Sequence, residues 1–123
     1  MEEQFVTYDI AKILKEKGFN EPCFASQSNI VGFCIAYHPI NDSNHFHIVL
    51  PMWQQVIDWF RNNKNIIISI HLYDREDKNS WKYEITRYDQ YELLKQTKIK
   101  NCKIVCSYYN CLNLAIKEAL NFI

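Results

Sequence analysis

The 123-residue sequence is short of the residues that interrupt regular structure, with only 2 Gly and 3 Pro. This scarcity argues against flexible linkers, low-complexity segments and disorder. The two glycines, Gly18 and Gly32, are isolated in the sequence. Their isolation excludes the glycine-rich phosphate-binding loops of P-loop and Rossmann proteins. We therefore expect one folded domain over residues 1–123, the usual outcome for a chain of this length.

The sequence also lacks an excess of either charge, since Lys+Arg and Asp+Glu both total 14. Proteins that grip a phosphate backbone need a surplus of basic residues. The nearest feature is a local basic run, Lys95, Lys98, Lys100 and Lys103, for which a solvated surface is the simpler interpretation. We expect no nucleic-acid partner.

Long apolar runs are missing as well, so the sequence predicts no membrane-spanning helix. The opening "MEEQFVTYD" has neither a basic segment nor an apolar core, and we expect no signal peptide. The cysteine count is odd, at 5, and no pair has C-x-x-C spacing. Free thiols in a reducing cytoplasm are the expectation.

Helix signals are present near both ends of the chain. Thr7 is the expected N-cap of a first helix, and Gly18 with Phe19 matches a Schellman C-terminus. Pro51 is placed in the first turn of a second helix, whose apolar face is predicted to hold Met52, Val56, Trp59 and Phe60. Asp89 is expected to start a short helix over 89–98, and Ser107 to cap the last helix.

Strand-like runs fill the remaining sequence. "CFAS" and "IVGFCIAY", around a turn at residues 27–29, predict two strands, and "FHIVL" predicts a third that completes a meander. "IIISIHLY" and "SWKYEITRY" predict an antiparallel pair, and "CKIVC" a further short strand. The pattern predicts an α+β fold, with a mostly antiparallel sheet of about four strands and helices packed on one face.

Three segments carry a family resemblance: "TYDIAKILKEKGFNEPCFA", "LPMWQQVIDWFR" and the closing "CLNLAIKEALNFI". The first two match T-Y-x-x-A-x-x-L-K-E-x-G-F-x-E-P-C-F and P-L-W-Q-Q-x-x-x-W-F-R, with Met52 at the Leu position. They resemble a family of small phage and mobile-element proteins. The resemblance implies such an origin and implies no activity. By analogy alone, small accessory phage proteins favour antagonism of a host defence protein.

Two surfaces are candidate binding sites. On "IIISIHLY", alternation places Ile67, Ser69, His71 and Tyr73 on one face, and we expect Tyr83 or Tyr88 beside them across the hairpin. Aromatic rings with convergent polar groups can bind a flat ligand or a partner's side chains. An ordinary solvent-exposed sheet face is the alternative. Gln54 and Gln55, on the polar side of the second helix, form the second candidate surface.

The sequence gives weaker support for a catalytic or metal-binding site than for these binding surfaces. His38, His45 and His47 could supply three zinc ligands, but no companion ligand stands at a recognised spacing. Cys102, Cys106 or Cys111 could act as a nucleophile only with a nearby histidine base. We therefore expect no catalytic residue, no metal and no cofactor.

The resulting hypothesis is a non-enzymatic cytoplasmic binding protein of phage or mobile-element origin that acts on a host protein. Three alternatives stay open. They are a sponge that sequesters a nucleotide-type signal, a Cys/His-dependent enzyme, and a self-associating structural protein that forms a homo-oligomer.

Overall fold

Three consecutive strands follow each of the first two α-helices in the computed structural model, which describes residues 2–28, 30–40, 47–72, 80–88, 96–105 and 107–123. The helices are α1 (Tyr8–Glu16), α2 (Trp53–Lys64) and α3 (Tyr108–Leu120). The strands are β1 (Cys23–Ser28), β2 (Gly32–Ile40), β3 (His47–Leu50), β4 (Ile66–Leu72), β5 (Ser80–Tyr88) and β6 (Gln96–Val105). The predicted α+β class is confirmed.

The described strands form two three-stranded antiparallel sheets, ordered β2-β1-β3 and β4-β5-β6. The sequence predicted about four strands in one sheet. The count is higher because the short runs "FHIVL" and "CKIVC" both contribute to paired strands. The chain divides into a first unit, Met1–Val56, and a second unit, Ile57–Ile123.

Helix α1 opens the first unit and ends as predicted. The Phe19 N–H donates to the Leu14 carbonyl at 2.9 Å, and the Gly18 N–H donates to the Lys15 carbonyl at 3.2 Å. This pair of bonds is a Schellman motif, and Gly18 adopts the left-handed φ of 100° that the motif needs. At the other end Thr7 is the N-cap residue, but its side chain makes no capping bond. The predicted hydroxyl cap is therefore wrong.

Strand β1 lies in the centre of the first sheet, with β2 and β3 at its edges. The predicted meander is wrong, because β3 pairs with β1 rather than with its sequence neighbour β2. The hairpin turn also lies later than predicted. Ile30 and Val31 belong to the turn, where the Ser28 hydroxyl accepts the Val31 N–H at 2.9 Å. Gly32, at φ 79°, then begins β2.

The core of the first unit lies between α1 and one face of this sheet, with α1 packed on β3. Its buried residues include Ile10, Leu14, Cys23, Ala25 and Leu50. The Pro51 carbonyl accepts the Val6 N–H at 2.9 Å. The predicted place of Pro51 in the first turn of α2 is wrong, because the helix begins two residues later, at Trp53.

Met52 is predicted to lie on the apolar face of α2, but its side chain is 39% exposed. Trp53 is buried instead, and its indole N–H donates to the Glu3 carbonyl at 2.8 Å. The predicted apolar face of α2 is therefore wrong at Met52, because the helix begins one residue after it.

In the second unit β5 is the central strand and α3 packs over β4 and β5. The Ser107 hydroxyl caps α3 by accepting the Asn110 N–H at 3.2 Å, as predicted. Near the end of α3, the Arg87 guanidinium donates to the Phe122 carbonyl at 3.0 Å. The helix predicted over 89–98 lies largely outside the described residues. Its described end, 96–98, belongs to β6, where Gln96 pairs with Tyr88.

The α2–β4 connection is held by Asn65 and Tyr88. Asn65 adopts a left-handed φ of 57°, and its carbonyl accepts the Tyr88 N–H at 3.0 Å. The Tyr88 hydroxyl donates to the Arg61 carbonyl at 2.6 Å. Asparagine tolerates this conformation better than most side chains, so the chain can leave the helix directly into β4.

We expect Trp59→Ala to destabilise the protein by about 3–5 kcal/mol, the usual cost of deleting a buried Trp side chain. Trp59 is 4% exposed and packs edge-on against Phe60, with ring centroids 5.2 Å apart. Chemical denaturation followed by circular dichroism measures the change. Asn62→Ala, on the exposed side of the same helix, is the control, and an equal loss there would contradict the prediction.

Candidate binding surfaces

The predicted polar face of β4 exists. Strand register places Ile67 opposite Thr86, Ser69 opposite Glu84, and His71 opposite Lys82. Residues opposite one another in paired strands project to the same side of the sheet. The Lys82 ammonium lies 3.4 Å from the Glu84 carboxylate. Register also places Lys98 and Lys103 of β6 on this face, opposite Thr86 and Lys82, so lysines outnumber its single carboxylate.

Tyrosines do not gather on this face as predicted. Tyr83 lies opposite Ile70 on the other side of the sheet and is only 5% exposed. The expected position of Tyr83 beside Ser69 and His71 is therefore wrong, because Tyr83 lies with Ile85 on the buried side of β5. Tyr88 follows the alternation of the polar face, but its hydroxyl is bonded to the Arg61 carbonyl. Tyr73 lies outside the described residues.

The glutamines of α2 have different environments. The Gln55 side-chain amide donates to the Pro22 carbonyl at 2.8 Å and lies 3.3 Å from a Glu21 carboxylate oxygen. These contacts fix the chain just before β1. Gln54 is exposed. The structure therefore gives Gln55 a structural contact within the first unit, and a binding role for Gln54 stays a prediction.

A concave site that the sequence did not predict lies on the first sheet. Its volume is about 360 Å³, and it is lined by Ser26, Ser28, Ile30, Val31, Gly32, Cys34 and His47. Strand register explains the set, since Ser26 is opposite Cys34 and Ser28 is opposite both Gly32 and His47. Alternate positions of the central strand thus bring two hydroxyls, a thiol and an imidazole to one face.

Two aliphatic side chains of the β1–β2 turn line the same cavity. Ile30 is 83% exposed and Val31 is 71% exposed. Phe24, on the same alternation as Ser26 and Ser28, is also exposed. Exposed apolar groups beside a concave site with a few polar atoms are typical of binding surfaces. We call the seven lining residues the hairpin cavity.

The predicted position of the turn is wrong because Ile30 and Val31 have strong strand propensity, which favours placing them in β2. The available signal was Gly32. A glycine directly after two β-branched residues can adopt the left-handed conformation that closes a hairpin. Placing the turn before Gly32 leaves both aliphatic residues without a strand partner, which is the feature that creates the rim.

The Cys34 thiol and the His47 imidazole share the hairpin cavity but lie on opposite edge strands. Two strand spacings and a two-residue offset separate their Cα atoms by roughly 12 Å. That separation is too long for the short thiol–imidazole contact that nucleophilic catalysis requires.

Of the three predicted nucleophile candidates, Cys111 is fully buried. Cys106 lies outside the described residues. Cys102 lies on β6, opposite Tyr83. Of the three predicted zinc ligands, His45 lies outside the described residues. Among described side chains, no group of three or more His, Cys, Asp or Glu residues could hold a metal ion.

Cys23 is also chemically quiet. Burial, with a smaller contribution from the Glu21 carboxylate, raises the pKa of its thiol to about 12. The thiol donates to the Glu21 carbonyl at 3.3 Å. Only the thiolate is a good nucleophile, so a raised pKa suppresses reactivity.

No family model, curated protein or solved structure matches the chain. No helix within the described residues is long and apolar enough to cross a membrane.

We expect a thiol-specific alkylating reagent to modify Cys34 in the folded protein at pH 8 while Cys23 and Cys111 stay unmodified. Cys34 is exposed, whereas the other two side chains are fully buried. At pH 8 a thiol with a pKa near 12 is only about one part in 10⁴ thiolate. Peptide mapping by mass spectrometry reads the order, and denatured protein is the control. Modification of Cys23 as fast as Cys34 would contradict it.

Proposed function

We propose that this chain is a small non-enzymatic binding protein of the cytoplasm that captures a partner protein at the hairpin cavity. The observation that carries the proposal is the exposure of Ile30 and Val31 beside a concave site of about 360 Å³. Exposed aliphatic pairs at the edge of a cavity are costly to leave in water unless a partner covers them.

The chemistry of the cavity fits a protein segment. Burial of the two rim side chains against a partner would supply affinity, at about 25 cal/mol per Å² of apolar surface. The Ser26 hydroxyl and the Cys34 thiol, on neighbouring strands, would orient a partner's polar groups. A cavity of this size accepts one apolar side chain from the partner with room for its backbone.

A nucleotide sponge is less well supported by the same cavity. Binding a base by stacking needs an aromatic ring, and no Phe, Tyr or Trp is among the residues that line the hairpin cavity. The hairpin cavity does not favour a Cys/His-dependent enzyme either, because Cys34 and His47 are widely separated within it. These features favour protein capture over both alternatives.

The class of partner comes from the sequence resemblance. The two motifs that resemble phage and mobile-element proteins favour a host protein, including a defence protein, as the target. The free thiols of Cys23, Cys34 and Cys111 favour the cytoplasm as the place of action.

A photocrosslinking amino acid placed at Val31 tests the proposal in cells that naturally produce the protein. We expect one predominant crosslinked protein, identified by mass spectrometry. Cys34→Trp should then lower the crosslink yield at least about fivefold, the effect of losing ~1 kcal/mol of contact, because the indole fills the cavity. Because Cys34 is exposed, we expect the substitution to leave the fold intact.

The matched control carries the same crosslinker at Leu114, an exposed aliphatic residue of α3. The proposal fails if positions 31 and 114 capture the same proteins, or if filling the cavity leaves the Val31 crosslink unchanged. Circular dichroism of the Cys34→Trp protein separates a lost contact from a lost fold.

A further inference from the structure

The chemistry of β4 is unusual for a strand at the edge of a sheet. Among the described strands, β4 is at the edge of the second sheet and pairs with β5 through seven consecutive residues, without a bulge. Its sequence, IIISIHL, contains no Lys, Arg, Asp, Glu or Pro. Natural proteins usually block such edges with charges, prolines or bulges, because an open edge can pair with another strand.

We propose that two copies of this chain associate by antiparallel pairing of their β4 edges about a two-fold axis at Ser69. Ser69 is the central residue of Ile66–Leu72, with three residues on either side. The proposal concerns the second unit alone and is independent of the hairpin cavity.

The strand is complementary to itself in this register. Ile68 would lie opposite Ile70 of the second copy, and Ile66 opposite Leu72 of the second copy. Ser69 would lie opposite Ser69 of the second copy, where the small side chains fit together at the two-fold axis. Directly opposite residues share a face, so the apolar core-side row would continue from one copy into the other. A two-fold axis requires this kind of self-complementary contact.

The burial of side chains along β4 also favours a second copy of β4 as the partner strand. Ile66 and Ile68, at the start of the core-side row, are buried, whereas Ile70 is half-buried and Leu72 is 41% exposed. The buried half of the row in one copy would therefore extend beside the exposed half in the other. The contact would cover the part of the core row that the single chain leaves in water.

Charge and the position of α3 within the second unit are compatible with the pairing. β4 carries no charge to desolvate, and the chain has a formal net charge of zero, so two copies do not repel. Helix α3 packs over both β4 and β5. Strand spacing then puts the two α3 axes roughly 10 Å apart in the dimer, at the upper end of ordinary helix-packing distances.

Ser69→Lys is the decisive variant. In one copy the new ammonium lies opposite the Glu84 carboxylate on the half-exposed face, so the monomer tolerates it. In the dimer two ammonium groups would meet at the axis. Sedimentation equilibrium of the wild-type chain should show a reversible monomer–dimer, and Ser69→Lys should raise the dissociation constant at least about tenfold.

Thr86→Lys is the matched control, since it adds the same charge to the same face on the central strand β5. It should leave the dissociation constant within about twofold. A wild-type chain that stays monomeric up to about 1 mM, or a dimer that both lysine variants weaken equally, overturns the proposal.

A second variant does not depend on destabilisation. Ser69→Cys, in a Cys34→Ala background, should form a disulfide between the two copies of residue 69 under mild oxidation. Peptide mapping identifies the bond, and Thr86→Cys in the same background is the control. Equal crosslinking through residue 86, or bonds that do not join the two copies of residue 69, overturns the proposal.

Discussion

Strand register is the constraint on which both surfaces of this protein depend. Side chains alternate across a strand, so the choice of one opposite pair fixes the face of every other residue. In the second sheet, Ile68 pairs with Ile85 and Ile70 pairs with Tyr83, which places both β5 residues on the buried side of the sheet. In the first sheet, the pairing of Ser28 with both Gly32 and His47 assembles the hairpin cavity. A shift by one residue in either sheet would bury polar side chains and expose the core.

Sequence predictions succeeded where neighbouring residues alone decide the local structure. The roles of Gly18, Phe19 and Ser107 at helix ends depend on such local chemistry and were predicted correctly. The alternation of "SWKYEITRY" likewise gave the two faces of β5. What alternation could not give was the identity of the inward face, because Tyr83 and Tyr88 are both plausible on either side. Only the pairing with Ile70 shows that Tyr83 belongs to the core.

Other features could not be predicted from the sequence because they depend on pairing between distant segments. That β3 pairs with β1 rather than with β2 is a non-local choice, which no run of neighbouring residues encodes. The hairpin cavity requires that choice, since His47 reaches it only from β3. The candidate residues chosen from sequence lay in the second unit and on α2, where local patterns were strongest. The cavity lies where three separate segments meet.

The two proposed surfaces differ in how they expose apolar side chains. At the hairpin cavity, Ile30 and Val31 are held in a turn by the Ser28 hydroxyl and Gly32, so their exposure is built into the backbone conformation. At the β4 edge, exposure is graded along one row and ends at Leu72. A turn can present side chains to many partner shapes, whereas an edge strand dictates the backbone direction of whatever pairs with it. The first surface therefore suits recognition of a different protein, and the second suits a copy of itself.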